Sequence, residues 1–192
     1  MIFEGISTLY MPNYLLVREL LGELGPLRLV QLSYSQYSSQ YDRLLAGEAP
    51  NVFSPTFSGG SLQDINIYNV HFAVGLLGLP REARYFPNLH ANGIDTSGIL
   101  VMGYPGFTAS LAGSKDTDGE SFAYIQGEWG SLHVKGGSHQ CGEVTLRTRR
   151  DGRVRVYNRQ REGLRLEYEL EAFKAMLNEL NFDRCYGLME HS

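Results

Sequence analysis

The stretch GGSLQDINIYNVHFAVGLLG, residues 59–78, reads as a helix entered from a Gly-Gly turn and buried on most sides. Ile65, Ile67, Val70, Phe72 and Val74 supply the apolar positions, and the helix is expected over about Leu62 to Leu77. Asp64, Tyr68 and His71 fall four and three residues apart, which puts three ionisable groups on one face of it. Each has an ordinary structural explanation. Ser61 followed by Asp64 fits a capping box, Tyr68 fits a core aromatic with a satisfied hydroxyl, and His71 fits a hydrogen-bonded core histidine. Together they form a polar stripe on an apolar helix, and buried polar groups are costly without partners. A stripe that faces a cleft is a natural place for a proton-transfer group and its supports.

Working outward, the segment before this helix begins with IFEGIST, residues 2–8, which reads as a short strand. Pro12 then opens a helix through PNYLLVRELLGEL with Leu16, Leu20 and Leu24 at fourfold spacing, and Gly25-Pro26 ends it. LRLVQLSYSQYS, residues 27–38, alternates Val30, Leu32 and Tyr34 with Gln31, Ser33 and Ser35, as a half-buried strand does. Residues 39–58 are polar and read as a long loop with a helical turn near Tyr41 to Ala46.

After the helix come REARYFPNLHA, GILVMGY, FTASLAG, FAYIQG, SLHVKG, EVTLRT and RVRVYN, short alternating runs separated by Gly, Pro, Asp or Asn. Residues 147–165 carry eight arginines, and Asp151-Gly152 between two alternating runs marks a hairpin whose arginines form a solvated face. ELEAFKAMLNEL closes the chain as an amphipathic helix with Leu170, Phe173, Leu177 and Leu180 as its stripe. The pattern describes an α+β fold: one predominantly antiparallel β-sheet with helices packed mainly on one face. Val101, Tyr104, Phe107, Leu111, Tyr124, Ile125 and Trp129 are apolar enough to furnish the second face, which would then be available for a homo-oligomer.

Length and composition narrow the function. The 192 residues fit a single domain spanning 1–192, and 43% hydrophobic with 20% charged residues is globular. The longest apolar run, Phe72 to Leu79, falls well short of the roughly 20 residues of a membrane span. No signal peptide is recognisable around Glu4, and two cysteines form no disulfide framework, so a cytoplasmic protein is expected. A net charge of -4 argues against a nucleic-acid partner. The five histidines show no metal-ligand spacing, and GGSHQC around His139 and Cys141 reads as a loop.

Beyond these residue-level readings, FSGGSLQDINIYNVHFAVGLLGLP resembles the signature of the second domain in the Gfo/Idh/MocA oxidoreductase family. GIDTSGILVMGYPGFTASL, IQGEWGSLHV and FEGISTLYMP are similar to later and earlier pieces of the same domain, so the resemblance covers nearly the whole chain. It implies that Tyr68, four residues after Asp64, is the general acid or base at a substrate carbinol, as in the tyrosine branch, with Asp64 supporting it. It implies further that Asn66 and His71 border the substrate pocket and that Gly59 and Gly60 lie at the edge of the cleft that meets NAD or NADP. Where the family often has a basic residue or histidine before the entry proline, Leu9 and Met11 stand here. The Glu-Lys-Pro lysine that accompanies the tyrosine has no counterpart in motif form, since the lysines are Lys115, Lys135 and Lys174. No G-x-G-x-x-G occurs, so the N-terminal Rossmann domain is expected to be missing from this chain. The expected function is the catalytic half of an NAD(P)-dependent oxidoreductase acting on a sugar-like or other small hydroxylated substrate, with no cofactor bound by this chain alone. The alternative is a non-catalytic binding or oligomerisation module that kept the fold.

Overall fold

The computed structural model of the chain describes residues 5–163, 165–179 and 187. Helix α1 (Pro12–Leu20) starts at its proline, whose missing N–H costs nothing in the first turn, and a 3-10 turn over Leu21–Leu24 carries it to Gly25. Leu16, Leu20 and Leu24 are all buried, as their spacing requires. Strand β1 (Leu27–Ser35) follows, then a loop holding the short helix α2 (Tyr41–Leu45), then helix α3 (Ile67–Leu77), which is preceded without a break by a π turn over Leu62–Asn66.

Three strands then form a meander: β2 (Glu82–Leu89), β3 (Asp95–Tyr104) and β4 (Phe107–Ser114). The chain continues through β5 (Phe122–Gly127), β6 (Gly130–Lys135), the one-turn helix α4 (Gly137–Gln140), β7 (Val144–Thr148), β8 (Val154–Tyr157) and helix α5 (Leu166–Glu179). All eight strands join one sheet in the order β2-β3-β4-β1-β5-β6-β7-β8. Neighbours are antiparallel except β1 and β4, which run parallel with Leu32 opposite Leu111 and Ser35 opposite Ser114. The α+β reading and the predominantly antiparallel sheet therefore hold, with a parallel pair at the centre. Both central strands deliver their carboxyl ends to the same edge of the sheet.

One face of the sheet is covered. Val30, Leu32, Ala109, Leu111, Met102, Ile125, Leu132, Val134, Val144 and Leu146 pack there beneath Tyr14, Val17, Phe72 and Ala73 from the helices. Most of the stabilisation resides in this layer, at roughly 1.5–3 kcal/mol per fully buried side chain. Tyr104, Leu111 and Ile125 lie on this covered face, not on the second face where their apolar character had placed them. Burial alternates with period 2 in β1, β5 and β7, while β2 is exposed almost throughout, and the side facing the helices is fixed by the pairing. Val101 and Tyr124 do lie on the open face, joined across the sheet by Ser110 and Gln31.

Two further expectations change. Gly5 and Ile6 are irregular and Ser7–Tyr10 forms a 3-10 turn, not a strand; the remaining residues of that expectation lie outside the described ones. Thr8 is buried and its hydroxyl donates to the Ser138 carbonyl, a local alternative to a strand ladder. In α5 the inward face holds Glu169 and Met176, with the Phe173 ring 5.5 Å from Tyr10, while Leu170 and Leu177 are 64% and 75% exposed. Leu180 lies outside the described residues. The arginine hairpin forms as expected about a turn stapled by Asp151, which accepts from Thr148 and from the Arg153 amide. Arg155, Arg159 and Arg161 pair with Glu23, Glu19 and Glu171.

Candidate functional site

The site is built where α3 begins over the carboxyl ends of β1 and β4. Gly60 has φ 104°, a backbone that favours glycine, and a side chain there would run into the Asp95 carboxylate. A Cβ on Gly59 would lie 2.7 Å from the Val52 backbone. Protein atoms thus stand where a side chain on either glycine would go. Asp95 caps the helix, accepting from the Leu62 amide at 2.7 Å and from the Tyr85 hydroxyl at 2.5 Å. Burial, and then that hydrogen bond, push the Tyr85 hydroxyl above its ordinary range. The expected capping box is absent: Ser61 makes no cap hydrogen bond and its buried hydroxyl has no partner among the described residues.

With the cap supplied from β3, Asp64 is released for another contact. It lies in the π turn and pairs with the ammonium of Lys115, the residue that follows β4. Lys115 is 3% exposed, and its Nζ stands 4.7 Å over the Phe53 ring and 3.5 Å from the Val52 carbonyl. Its amide donates to the Thr96 carbonyl and its own carbonyl accepts from the Ser38 amide, both at 2.9 Å. Asp64 and Lys115 line a cavity of about 280 Å³ together with Gln36, Tyr37, Ser38, Ser39 and Ile65.

Tyr68 comes one turn later and opens onto a second cavity of about 320 Å³, lined by Ser7, Tyr34, Tyr68, His139, Arg165 and Leu166. The rings of Tyr34 and Tyr68 meet edge to face at 6.0 Å, and His139 stacks on Tyr34 at 3.6 Å. The Tyr34 hydroxyl donates to Gln36 at 3.0 Å. Burial, and then the neighbouring Tyr68, push the Tyr34 hydroxyl up. Burial, and then the Arg165 guanidinium bonded to its own carbonyl, push the His139 imidazole down to about 4, so it is neutral near pH 7. Its Nδ1 is buried with no partner among the described residues. The cavity carries aromatic walls, a neutral imidazole, a cation at its rim and a half-buried phenol.

The stripe seen in the sequence is thus divided. Asn66 is fully buried and faces the sheet, donating to the Leu111 carbonyl at 3.0 Å and accepting from Asn69 at 2.8 Å. Asn69 also donates to the Ala112 carbonyl and accepts from Ser138 at 2.6 Å, which ties α3, β4 and α4 together. His71 is 5% exposed and, like Asn66, does not line the Tyr68 cavity. The residues that sequence reasoning missed are Tyr34, Lys115, His139 and Arg165. Tyr34 carried a signal, as the last inward position of β1. His139 carried none: its stretch read as a loop but forms α4, held between two left-handed residues, Gly136 and Cys141. Among the described residues, no group of three or more His, Cys, Asp or Glu side chains is placed to hold a metal ion.

An open mixed sheet, helix-covered on one face and with a polar cavity at the carboxyl ends of its parallel pair, defines an α+β domain with a candidate site at that edge. The family model of the GFO/IDH/MocA C-terminal domain matches residues 14–133, and the chain belongs to that oxidoreductase family through this domain. It is 38% identical over 178 residues to an uncharacterized oxidoreductase of Escherichia coli K12, YgjR, covering 93% of this chain and 54% of that protein. It is 34% identical over 191 residues to the scyllo-inositol 2-dehydrogenase (NADP(+)) IolU of Bacillus subtilis 168, covering 100% of this chain and 58% of that one. The chain therefore spans little more than half the length of these curated relatives. Among solved structures, a 3-ketoreductase of Actinomadura kijaniata, KijD10, in complex with NADP and TDP-benzene, matches with a TM-score of 0.74 at 15% identity over 93% of this chain and 55% of that one. An aldose-aldose oxidoreductase of Caulobacter crescentus complexed with glycerol matches with a TM-score of 0.71 at 15% identity, covering 92% of this chain and 53% of that one. These two likenesses concern the fold.

Proposed function

We propose that the chain is the substrate-binding and catalytic half of an NAD(P)-dependent oxidoreductase acting on a sugar-like or other small hydroxylated substrate, with Tyr68 as its proton-transfer group. The observation that carries this reading is the placement of the Tyr68 phenol at the cavity beside the carboxyl ends of β1 and β4. Oxidising a carbinol requires its hydroxyl proton to leave, and reducing a carbonyl requires one to arrive; a positioned phenol serves either direction. Tyr34, stacked on His139, forms an aromatic wall against which the apolar face of a sugar ring fits. Hydride exchange is the nicotinamide's chemistry and belongs to a dinucleotide-binding half outside this chain, in keeping with the NADP printed for IolU and for the KijD10 complex. The open face of the sheet is the surface for a second copy. No helix among the described residues is long and apolar enough to cross a membrane. Burial pushes the free thiol of Cys141 up to about 12, which keeps it unreactive and suits a cytoplasmic protein.

Two measurements test the reading. The chain alone, titrated with NADPH and NADH while Trp129 emission is followed, should show no saturable binding. In the full-length protein, Tyr68→Phe should lower kcat by roughly a hundred- to ten-thousandfold, the worth of a positioned proton-transfer group. A Tyr68→Phe enzyme with wild-type turnover would remove Tyr68 from the chemistry.

A further inference from the structure

We propose that Lys115 is a positioning residue for proton transfer at Tyr68, acting through Asp64; the inference rests on the functional reading above. A phenol that exchanges its proton passes through a state with negative charge on its oxygen, and a bare carboxylate one turn away opposes that charge. Asp64 stands four residues before Tyr68, in the π turn that runs without a break into the helix carrying the phenol. The carboxylate is not bare. The Lys115 ammonium sits on it, and the pair presents no net charge to the phenol.

The pairing is a fixed device. Lysines usually keep their ammonium in water and are rarely buried unless paired. Here the Lys115 side chain is 4% exposed while Asp64 is 44% exposed, so the cation is the buried member and the carboxylate reaches it from the cavity. Its backbone is clamped from both sides, by Thr96 on β3 and by Ser38 after β1, and its Nζ rests over Phe53. Taking an ammonium out of water offsets much of what the ion pair returns, so the burial of Lys115 is weak evidence of a stabilising role. Topology explains why the charge arrives here. Ser35 and Ser114 are opposite each other in the parallel pair, and Tyr34 and Lys115 flank that register on the edge above which α3 begins. No proton passes through Lys115 or Asp64: it moves between the substrate oxygen and the Tyr68 oxygen, and the ion pair holds the helix turn and its charge in place.

The test is steady-state kinetics of the full-length protein carrying Lys115→Met, Lys115→Arg, Asp64→Asn and the Lys115→Met/Asp64→Asn pair, with Tyr68→Phe alongside. Lys115→Met should lower kcat about tenfold or more while the KM values for substrate and cofactor stay within about twofold, the split expected when the transition state alone is affected. Lys115→Arg should recover most of the loss. The double variant should be no slower than Lys115→Met, because an isolated Asp64 charge is what harms the step. If Lys115→Met does not fold by circular dichroism, Lys115→Gln takes its place, and a folded Lys115→Gln enzyme with a kcat within about twofold of wild type overturns the role. Additive losses in the double variant overturn it too. An inactive Tyr68→Phe enzyme beside an unimpaired Lys115→Met enzyme sinks this inference and leaves the functional reading standing, whereas an active Tyr68→Phe enzyme sinks the reading itself.

Discussion

His139 is the residue whose surroundings make the most definite claim about pH. Its ring lies flat on Tyr34, its Nδ1 is shut away from water, and Arg165 stands beside it, so the folded protein holds the imidazole neutral with a pKa of about 4. In the unfolded chain a histidine titrates near 6.5. Between those values the unfolded state takes up a proton that the folded state refuses. The contribution is therefore fully present above about pH 6.5 and declines as the pH falls toward 4, by on the order of 2–3 kcal/mol. Glu169 works in the opposite sense: burial raises its carboxyl above the usual value, which favours the folded state as the pH falls. The informative quantity is thus the difference between wild type and His139→Gln. Urea unfolding of the chain at pH 7.5, 6 and 4.5 should show a smaller decline for the variant, and parallel declines would clear His139 of the effect. The same residue shows what the sequence withheld. A histidine between two glycines and a cysteine has no periodicity to place it, and it joins the site only because two left-handed residues fold its stretch back against β1. Tyr68 and Asp64, by contrast, were legible four residues apart on one helix. Their partners Tyr34 and Lys115 lie far away in sequence, on β1 and just past the end of β4, and no local pattern announces the parallel pairing that brings them to one edge.

At the scale of elements, α3 meets the sheet at one glycine. A Cβ added to Gly113 on β4 would lie 2.6 Å from the Asn66 Cβ and 2.9 Å from the Ser61 Oγ, so the helix start rests on a strand position with no side chain. Gly113→Ala must lift or tilt α3, and overpacking of this kind costs about 1–3 kcal/mol. Gly22, with open space around its Cα, is the control: Gly22→Ala should leave the urea midpoint of the chain at or slightly above the wild-type value. Equal midpoints for the two variants would mean that the helix is not seated as closely as the Asn66 and Asn69 hydrogen bonds to β4 imply. The strands themselves were plain in the sequence because each alternates and stops at a Gly, Pro, Asp or Asn, features that depend on neighbouring residues alone. Errors arose where a distant group overrode the local signal. Asp95 takes the cap that Ser61 was expected to make, Thr8 donates to Ser138 from a turn, and α5 buries Glu169 and Met176, with Phe173 against Tyr10, in place of its leucine stripe.

For the whole molecule, the question is what covers the second face of the sheet. One row crosses all eight strands there as Arg84, Val101, Ser110, Gln31, Tyr124, His133, Thr145 and Val156. Apolar and polar residues are mixed along it, and Val156 in this row and Phe86 and Ile99 on the same face are 56%, 50% and 46% exposed. Such a mixture is unlike the packed interior and like the composition of interfaces that also tolerate water. If two copies meet face to face about a two-fold axis, every contact residue acts twice, and one charge placed at the centre is felt in both subunits. Ile99 suits this test, since it is paired with Phe86 and Ala112 within the sheet and its side chain supports no helix. Sedimentation velocity at micromolar concentration should show a dimer for the wild-type chain and a monomer for Ile99→Asp, with unchanged circular dichroism. A wild-type chain that sediments as a monomer would show that this face is not a contact between copies in the isolated domain. A dimer that survives Ile99→Asp would move the contact to another surface, with the exposed Leu170 and Leu177 of α5 the next positions to charge.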